Sequence, residues 1–347
     1  MKIALLVIYF GVMVAIGIYC RKHTSGINNF VLGGRSVGPW LTAFAYGTSY
    51  FSAVVFIGYA GQFGWKYGIA ATWAGIGNAI LGSLLVWVVL GRRTRIMTQH
   101  FDSTTMPQFF GQRFQSPSLK IGASIIIFIF LIPYTASLFN GLSRLFGMAF
   151  NIDYTVCIIL MGVLTGIYVI AGGYMATAIN DFVQGCIMLV GICAVVGAIL
   201  NTQGGFSEAL HDLAAVSDST TTNGDVPGIY ASFFWGLPQM VQKFYAIKSE
   251  DAIHKGTVIS TIFALVVSGG CYFMGGFGRL FSDQVDVATE GYDAIVPTML
   301  SNLPELLIAI VVILVLSASM STLSALVMTS SSTITLDLLK GNKVKKM

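Results

Sequence analysis

The sequence predicts an all-α, polytopic membrane protein. Three observations carry that expectation. Of 347 residues, 55% are hydrophobic and only 10% charged, against about 25% charged in soluble globular proteins. The apolar residues fall into runs close to the roughly 20 residues that a membrane-crossing helix needs. The connections between runs alternate between basic and acidic, as loops on opposite faces of a bilayer do.

Nine segments meet or approach that length. The first, 3–20, has only Lys2 before it, no small-residue cleavage site after it, and Arg21-Lys22 at its end. It reads as a membrane helix rather than a signal peptide. The second, 38–63, holds Tyr46-Gly47-Thr48-Ser49-Tyr50-Phe51-Ser52 at bilayer depth. Either the helix unwinds there and frees carbonyls for a site, or it stays regular and its hydroxyls bond back to the preceding turn. The third, 69–90, is rich in glycine (Gly68, Gly75, Gly77, Gly82), which lets helix backbones approach closely. The fourth and fifth span 119–143 and 154–171.

The sixth, 179–200, opens near Asp181, after Gly172-Gly173. That carboxylate either caps a helix N-terminus or lines an ion path, because a membrane acid is costly without a role. The seventh, 228–245, is interrupted by Trp235-Gly236-Leu237-Pro238-Gln239, and proline removes a backbone bond and kinks a helix. The eighth is 257–277. The ninth, 303–335, is too long for one straight crossing and must tilt, bend or project.

Fifteen of the 19 basic residues fall on one side if the helices alternate: Arg21, Lys22 and Arg35; Arg92, Arg93, Arg95, Arg113 and Lys120; Lys243, Lys248 and Lys255; and Lys340, Lys343, Lys345 and Lys346. Segments 201–227 and 278–302 are acidic. The N-terminus is therefore expected outside and the C-terminus in the cytoplasm, in a bacterial-type inner (plasma) membrane.

Other chemistries find little support. Cys20, Cys157, Cys186, Cys193 and Cys271 sit in or beside apolar runs, poor placement for a disulfide framework. His23, His100, His211 and His254 show no metal-ligand spacing. No Walker A or GxGxxG motif opens a nucleotide domain. The chain is not expected to be an enzyme, to bind nucleic acid or to need an obligate protein partner; its surroundings are the lipid bilayer.

The ninth segment carries Ser317, Ser319, Ser321, Thr322 and Ser324. Hydroxyls at that depth need partners, either the preceding turn or a small hard cation such as Na⁺, which prefers oxygen ligands. Ser321 and Thr322 point about 100° apart on a helix, so a cation in a groove between helices could touch both. It needs further oxygens, and the second segment is the natural supplier.

These motifs resemble the sodium/solute symporter family. The likeness begins at Phe30-Val31-Leu32-Gly33-Gly34-Arg35-Ser36-Val37-Gly38-Pro39-Trp40 and runs through Thr42-Ala43 and Gly47 to Ser52. It continues in Ile170-Ala171-Gly172-Gly173-Tyr174 with Asp181 and Gln184, and in Trp235 to Gln239 with Lys243-Phe244. It ends in Met320-Ser321-Thr322-Leu323-Ser324, followed by Ser330-Ser331-Ser332, Thr335 and Asp337.

The resemblance implies one transmembrane domain, 1–347, with two inverted five-helix repeats: an extra helix at 1–22, a first repeat at 38–200 and a partial second repeat at 228–338. It implies Na⁺-coupled symport of a small polar organic solute (an amino acid, carboxylate or sugar). The Na⁺ ligands would be the carbonyls of Thr48, Phe51 and Ala318 and the hydroxyls of Ser321 and Thr322. Asp181 would lie on the inward ion path, and the solute near Tyr50, Ser52, Tyr134, Trp235 and Gln239. Family members usually have about twelve or more helices, so the second repeat is expected to be incomplete. A truncated, non-transporting relic or a sensory module is the alternative. Tyr50 stands where proline carriers have an aspartate, which argues against proline as the solute.

Overall fold

The computed structural model describes residues 2–23, 26–150, 153–216, 237–301 and 303–339. Its elements are almost all helical, and they begin with α1 (Lys2–Cys20) and α2 (Ile27–Leu32). Pro39, which has no N–H to leave unsatisfied, starts α3 (Pro39–Tyr50). The backbone turns extended at Phe51 (φ −98°, ψ 99°). Wide π-helical turns (Val54–Tyr59) then lead into α4 (Ala60–Tyr67). The break therefore covers Phe51-Ser52 and not the whole polar stretch from Tyr46. Gly47 is helical, and it is small because the Phe263 ring lies 2.4 Å from where a Cβ would stand.

After a turn at Gly68 come α5 (Thr72–Gly77), π-helical turns and α6 (Arg92–His100). The third segment thus extends well beyond residue 90. Arg92, Arg93 and Arg95 stand on a helix, not in a loop. Thr105 caps α7 (Met106–Arg113) by accepting from the Gln108 N–H, a satisfied first-turn donor. Then follow α8 (Pro117–Phe150) and α9 (Tyr154–Thr202).

α9 has 49 residues, about 70 Å if straight, more than twice the roughly 30 Å hydrocarbon core. It breaks at Gly173 (φ 56°, ψ −150°), a conformation L side chains rarely adopt. A Cβ there would also stand 2.8 Å from the Phe30 carbonyl oxygen. The expected fifth and sixth segments are the two legs of α9, joined at one residue. α1 runs antiparallel to the second leg, with Tyr9 at Gln184 and Met13 at Asn180, and its last residue, Cys20, lies at Gly172 beside the break.

α10 (Phe206–Val216) follows. In the seventh segment, 228–236, with Trp235, lies outside the described residues. Pro238 does not kink a helix; it opens α11 (Pro238–Ala246) at its first turn. Ser249 caps α12 (Glu250–Gly275), with Glu250 and Asp251 in the favourable first turn. Short helices α13 (Val287–Glu290) and α14 (Ile295–Ser301) lead to α15 (Glu305–Ser332), which continues in π-helical turns through Leu339.

Five helical stretches of the described residues are long and apolar enough to cross a membrane: Val54–His100, Pro117–Phe139, Ile158–Thr202, Glu250–Gly275 and Glu305–Leu339. α9 packs against α1, α3, α12 and α15. The outer face of α8 presents Ile125, Ile126, Ile129, Phe130 and Ile132, an apolar surface suited to lipid. α4 and α12 touch backbone to backbone: a Cβ on Gly64 would stand 1.8 Å from the Gly275 carbonyl oxygen.

At one end the chain before α3 meets the end of α11. Val37 N–H donates to Ala246 O (3.2 Å) and Lys248 N–H to Val37 O (3.0 Å), a single parallel bridge. Arg95, buried at 5% exposure, donates to Ile247 O (2.5 Å), Lys248 O (3.2 Å) and Gln99. Arg35 donates to Thr98 O (3.2 Å) and Ser103 O (2.9 Å). Burial lowers the Arg35 pKa from its usual value, opposed by Asp102 at 3.7 Å.

Candidate functional site

The serines of α15 sort into two groups. Ser319 and Ser324 bond back to Val315 O (2.8 Å) and Ser321 O (2.9 Å), the ordinary way a helix hides a hydroxyl. Ser321 and Thr322 bond back to Ala318 O (3.1 Å each) and also reach α3. Ser321 Oγ lies 3.0 Å from Thr48 O. Thr322 Oγ1 lies 3.3 Å from Thr48 O and 3.4 Å from Ser49 O. Both residues are fully buried.

Two hydroxyl protons therefore face three carbonyls. Those of Thr48 and Ser49 are exposed because α3 stops at Tyr50, and the last carbonyls of a helix have no intrahelical donor. They also form the negative end of the helix dipole, which favours a cation. Oxygens that bind one hard cation at about 2.4 Å and at right angles lie about 3.4 Å apart. The separations here run from 3.0 to 3.4 Å, at or somewhat below that value, so a slight opening of the cluster makes room for a small hard cation. Of the expected ligand atoms, those of Thr48, Ala318, Ser321 and Thr322 come together. Ser49 O also lies within reach of the hydroxyls, and Phe51, the remaining expected ligand, is buried at the break just beyond α3. Ser49 was visible only as a neighbour; the point where α3 ends decides which carbonyls are free.

Asp181 is fully buried and stands two turns inside the second leg of α9, past the break at Gly173. It is not a helix cap. Its Oδ2 lies 3.4 Å from Lys243 Nζ, and Lys243 also sits 5.2 Å from the centre of the Tyr174 ring. Lys243 is 2% exposed, so it does not belong to a basic connection as the sequence suggested. Tyr174 packs beside Gly33, near the Val37 bridge, while Gly185 packs against Thr48. Asp181 thus lies between the oxygen cluster and the basic end of the bundle.

Beside the break in α3 is a cavity of about 150 Å³. Tyr50, Ser52 and Tyr134 line it, with Tyr59, Asn78, Ser137, Leu237 and Tyr272 among others. Tyr50 donates to Asn78 Oδ1 at 2.9 Å. Gln239 is not on the wall; it is buried in the first turn of α11, and neither amide atom has a hydrogen-bond partner among the described residues. Trp235 lies outside the described residues. Asn78, Tyr59 and Tyr272 were missed by sequence reasoning. A lone Asn in the glycine-rich third segment was the one available signal.

The sodium:solute symporter family model matches residues 30–347. Sodium/proline symporters of Staphylococcus aureus strains JH9 and NCTC 8325 are each 31% identical over 350 residues, covering 97% of this chain and 68% of the relative. In fold, the chain is similar to the substrate-bound, outward-open structure of a Na⁺-coupled sialic acid symporter, with a TM-score of 0.84 and 19% identity over 97% of this chain and 73% of that one. These likenesses favour a carrier over a relic or a sensory module, and over an enzyme. With α3 and α9 broken and an oxygen cluster beside a cavity, the chain belongs to the sodium:solute symporter family, whose coupling ion is Na⁺.

Proposed function

We propose that the oxygens of Thr48, Ser49, Ala318, Ser321 and Thr322 bind the coupling Na⁺, and that a small polar organic solute occupies the cavity beside them. The observation that carries this reading is the meeting of the Ser321 and Thr322 hydroxyls with the free carbonyls at the end of α3. Phe51 and Ser52 follow those carbonyls directly, and Ser52 lines the cavity. Ion and solute therefore act on the same break. Na⁺ bound to the carbonyls fixes the end of α3, and that fixes Tyr50 and Ser52 for the solute. Coupling needs only that both ligands favour the same conformation.

None of the cavity-lining residues is charged. The wall offers hydroxyls, one amide and aromatic rings, which suits a small solute held by neutral hydrogen bonds. The relatives named for proline and sialic acid carry small polar organic molecules of this broad kind. On the inward side, Asp181 lies on the way from the cluster to the basic end, which we assign to the cytoplasm. The helices from α3 through α9 form one repeat, and those from α11 onward belong to a second.

The test is solute uptake into proteoliposomes across a Na⁺ series, with proline and other amino acids, carboxylates and sugars as candidates. Ser321→Ala and Thr322→Ala should each raise the Na⁺ concentration for half-maximal uptake by about tenfold or more, the loss of one oxygen ligand being worth about 1.4 kcal/mol or more. Unchanged Na⁺ dependence in a folded, transporting double variant would remove these hydroxyls from the site.

A further inference from the structure

Lys243 is a buried charge that neither the oxygen cluster nor the cavity uses. We propose that it is the resident counter-ion of Asp181, and that its ammonium keeps the carboxylate from trapping Na⁺ on the way out of the cluster. This rests on the reading of Asp181 as part of the inward path.

The geometry gives Asp181 one cationic partner among the described residues, Lys243 at 3.4 Å. The other groups recorded as facing it are neutral: Tyr168 and Tyr174 on its own helix, Gln184 one turn on, and Tyr9 from α1, which accepts from Gln184 Nε2 at 3.0 Å. Asp181 Oδ1 is buried and has no hydrogen-bond partner among the described residues, so the carboxylate keeps one acceptor oxygen that Lys243 does not satisfy. A bare buried carboxylate at that place would hold Na⁺ strongly, because charges interact strongly where water is excluded. A buried ion pair instead leaves the passage close to neutral. Position supports the role. Leu237, at the start of α11, lines the cavity, and Ile247, just past its end, is held by Arg95 at the basic end. Lys243 lies between them, level with Asp181.

A charge role and a purely structural role give opposite patterns. Lys243→Gln exposes the carboxylate, so the Na⁺ concentration for half-maximal binding should fall about tenfold while solute turnover slows. Asp181→Asn leaves the ammonium unopposed, so that concentration should rise about tenfold. The double variant removes both charges and should return to within about threefold of the wild type, and Lys243→Arg should match the wild type. The readouts are ²²Na⁺ binding to the purified full chain and Na⁺-dependent uptake.

Shifts in the same direction for the two single variants, or no shift in a folded variant, overturn the proposal. If Lys243→Gln is not recovered folded, Asp181→Asn against the double variant decides alone: no recovery in the double variant overturns it. Loss of saturable Na⁺ binding in the wild type would instead sink the site reading above. Normal loss in Ser321→Ala with a silent Lys243→Gln sinks only this inference.

Discussion

Tyr50 stands at the cavity wall with its hydroxyl on Asn78. Tyr50→Phe keeps the ring and removes the donor, which leaves a buried amide oxygen without it. The expected loss is about 1–2 kcal/mol of stability, read as a lower Tm in detergent, together with a higher KM for the transported solute. An unchanged KM would place the solute away from this wall. At this scale the sequence was informative where chemistry is intrinsic to a residue. Ser321 and Thr322 stood out because hydroxyls are costly in an apolar run, and Asp181 because a carboxylate is. Ser49 did not, since its carbonyl becomes available only through the place where α3 ends. Lys243 misled for a similar reason. Lys248 and Lys255 follow it in sequence, so it reads as one more loop charge, and only the contacts of its side chain with Asp181 and Tyr174 of α9 show its partner.

α9 shows how an element can hide a boundary. Its two legs were expected as separate segments with a connection over 172–178, yet a single residue, Gly173, makes the turn and helical bonding resumes at once. Gly173→Ala should cost about 1–3 kcal/mol from the positive φ alone, and more from the contact with Phe30 O. Gly162→Ala, on the first leg with open space around its Cβ position, should instead be neutral or gain up to about 1 kcal/mol from helix propensity. Thermal unfolding of the two variants side by side reads the difference; equal Tm values would mean the turn carries no strain. The Pro238 reading failed for a related reason. Proline interrupts a helix or starts one equally well, and only the backbone before it, extended at Leu237, distinguishes the two.

Over the whole molecule, hydropathy marked where apolar helix lies but not its bounds: nine segments are expected, and among the described residues five stretches are long and apolar enough to cross a membrane, one of them, Val54–His100, joining parts of two expected segments. The charge alternation proposes a sidedness, which thiol labelling in intact cells can check. Lys255→Cys and Asp283→Cys are both at exposed positions. An impermeant reagent should label the second and spare the first, and the reverse result would invert the protein in the bilayer. What hydropathy did not reveal is which helices are fastened to one another. α4 and α12 meet through Gly64 and Gly275 with no side chain between their backbones, and α5 meets α12 in the same way at Gly75 and Ser268. A joint without side chains has no rotamers to rearrange and no slack to slide on. These three helices are therefore expected to move together. A movement that opened the cavity to the other side is then expected at the seams around these helices, and the extended backbone at Phe51, after α3, is a place where the chain can bend.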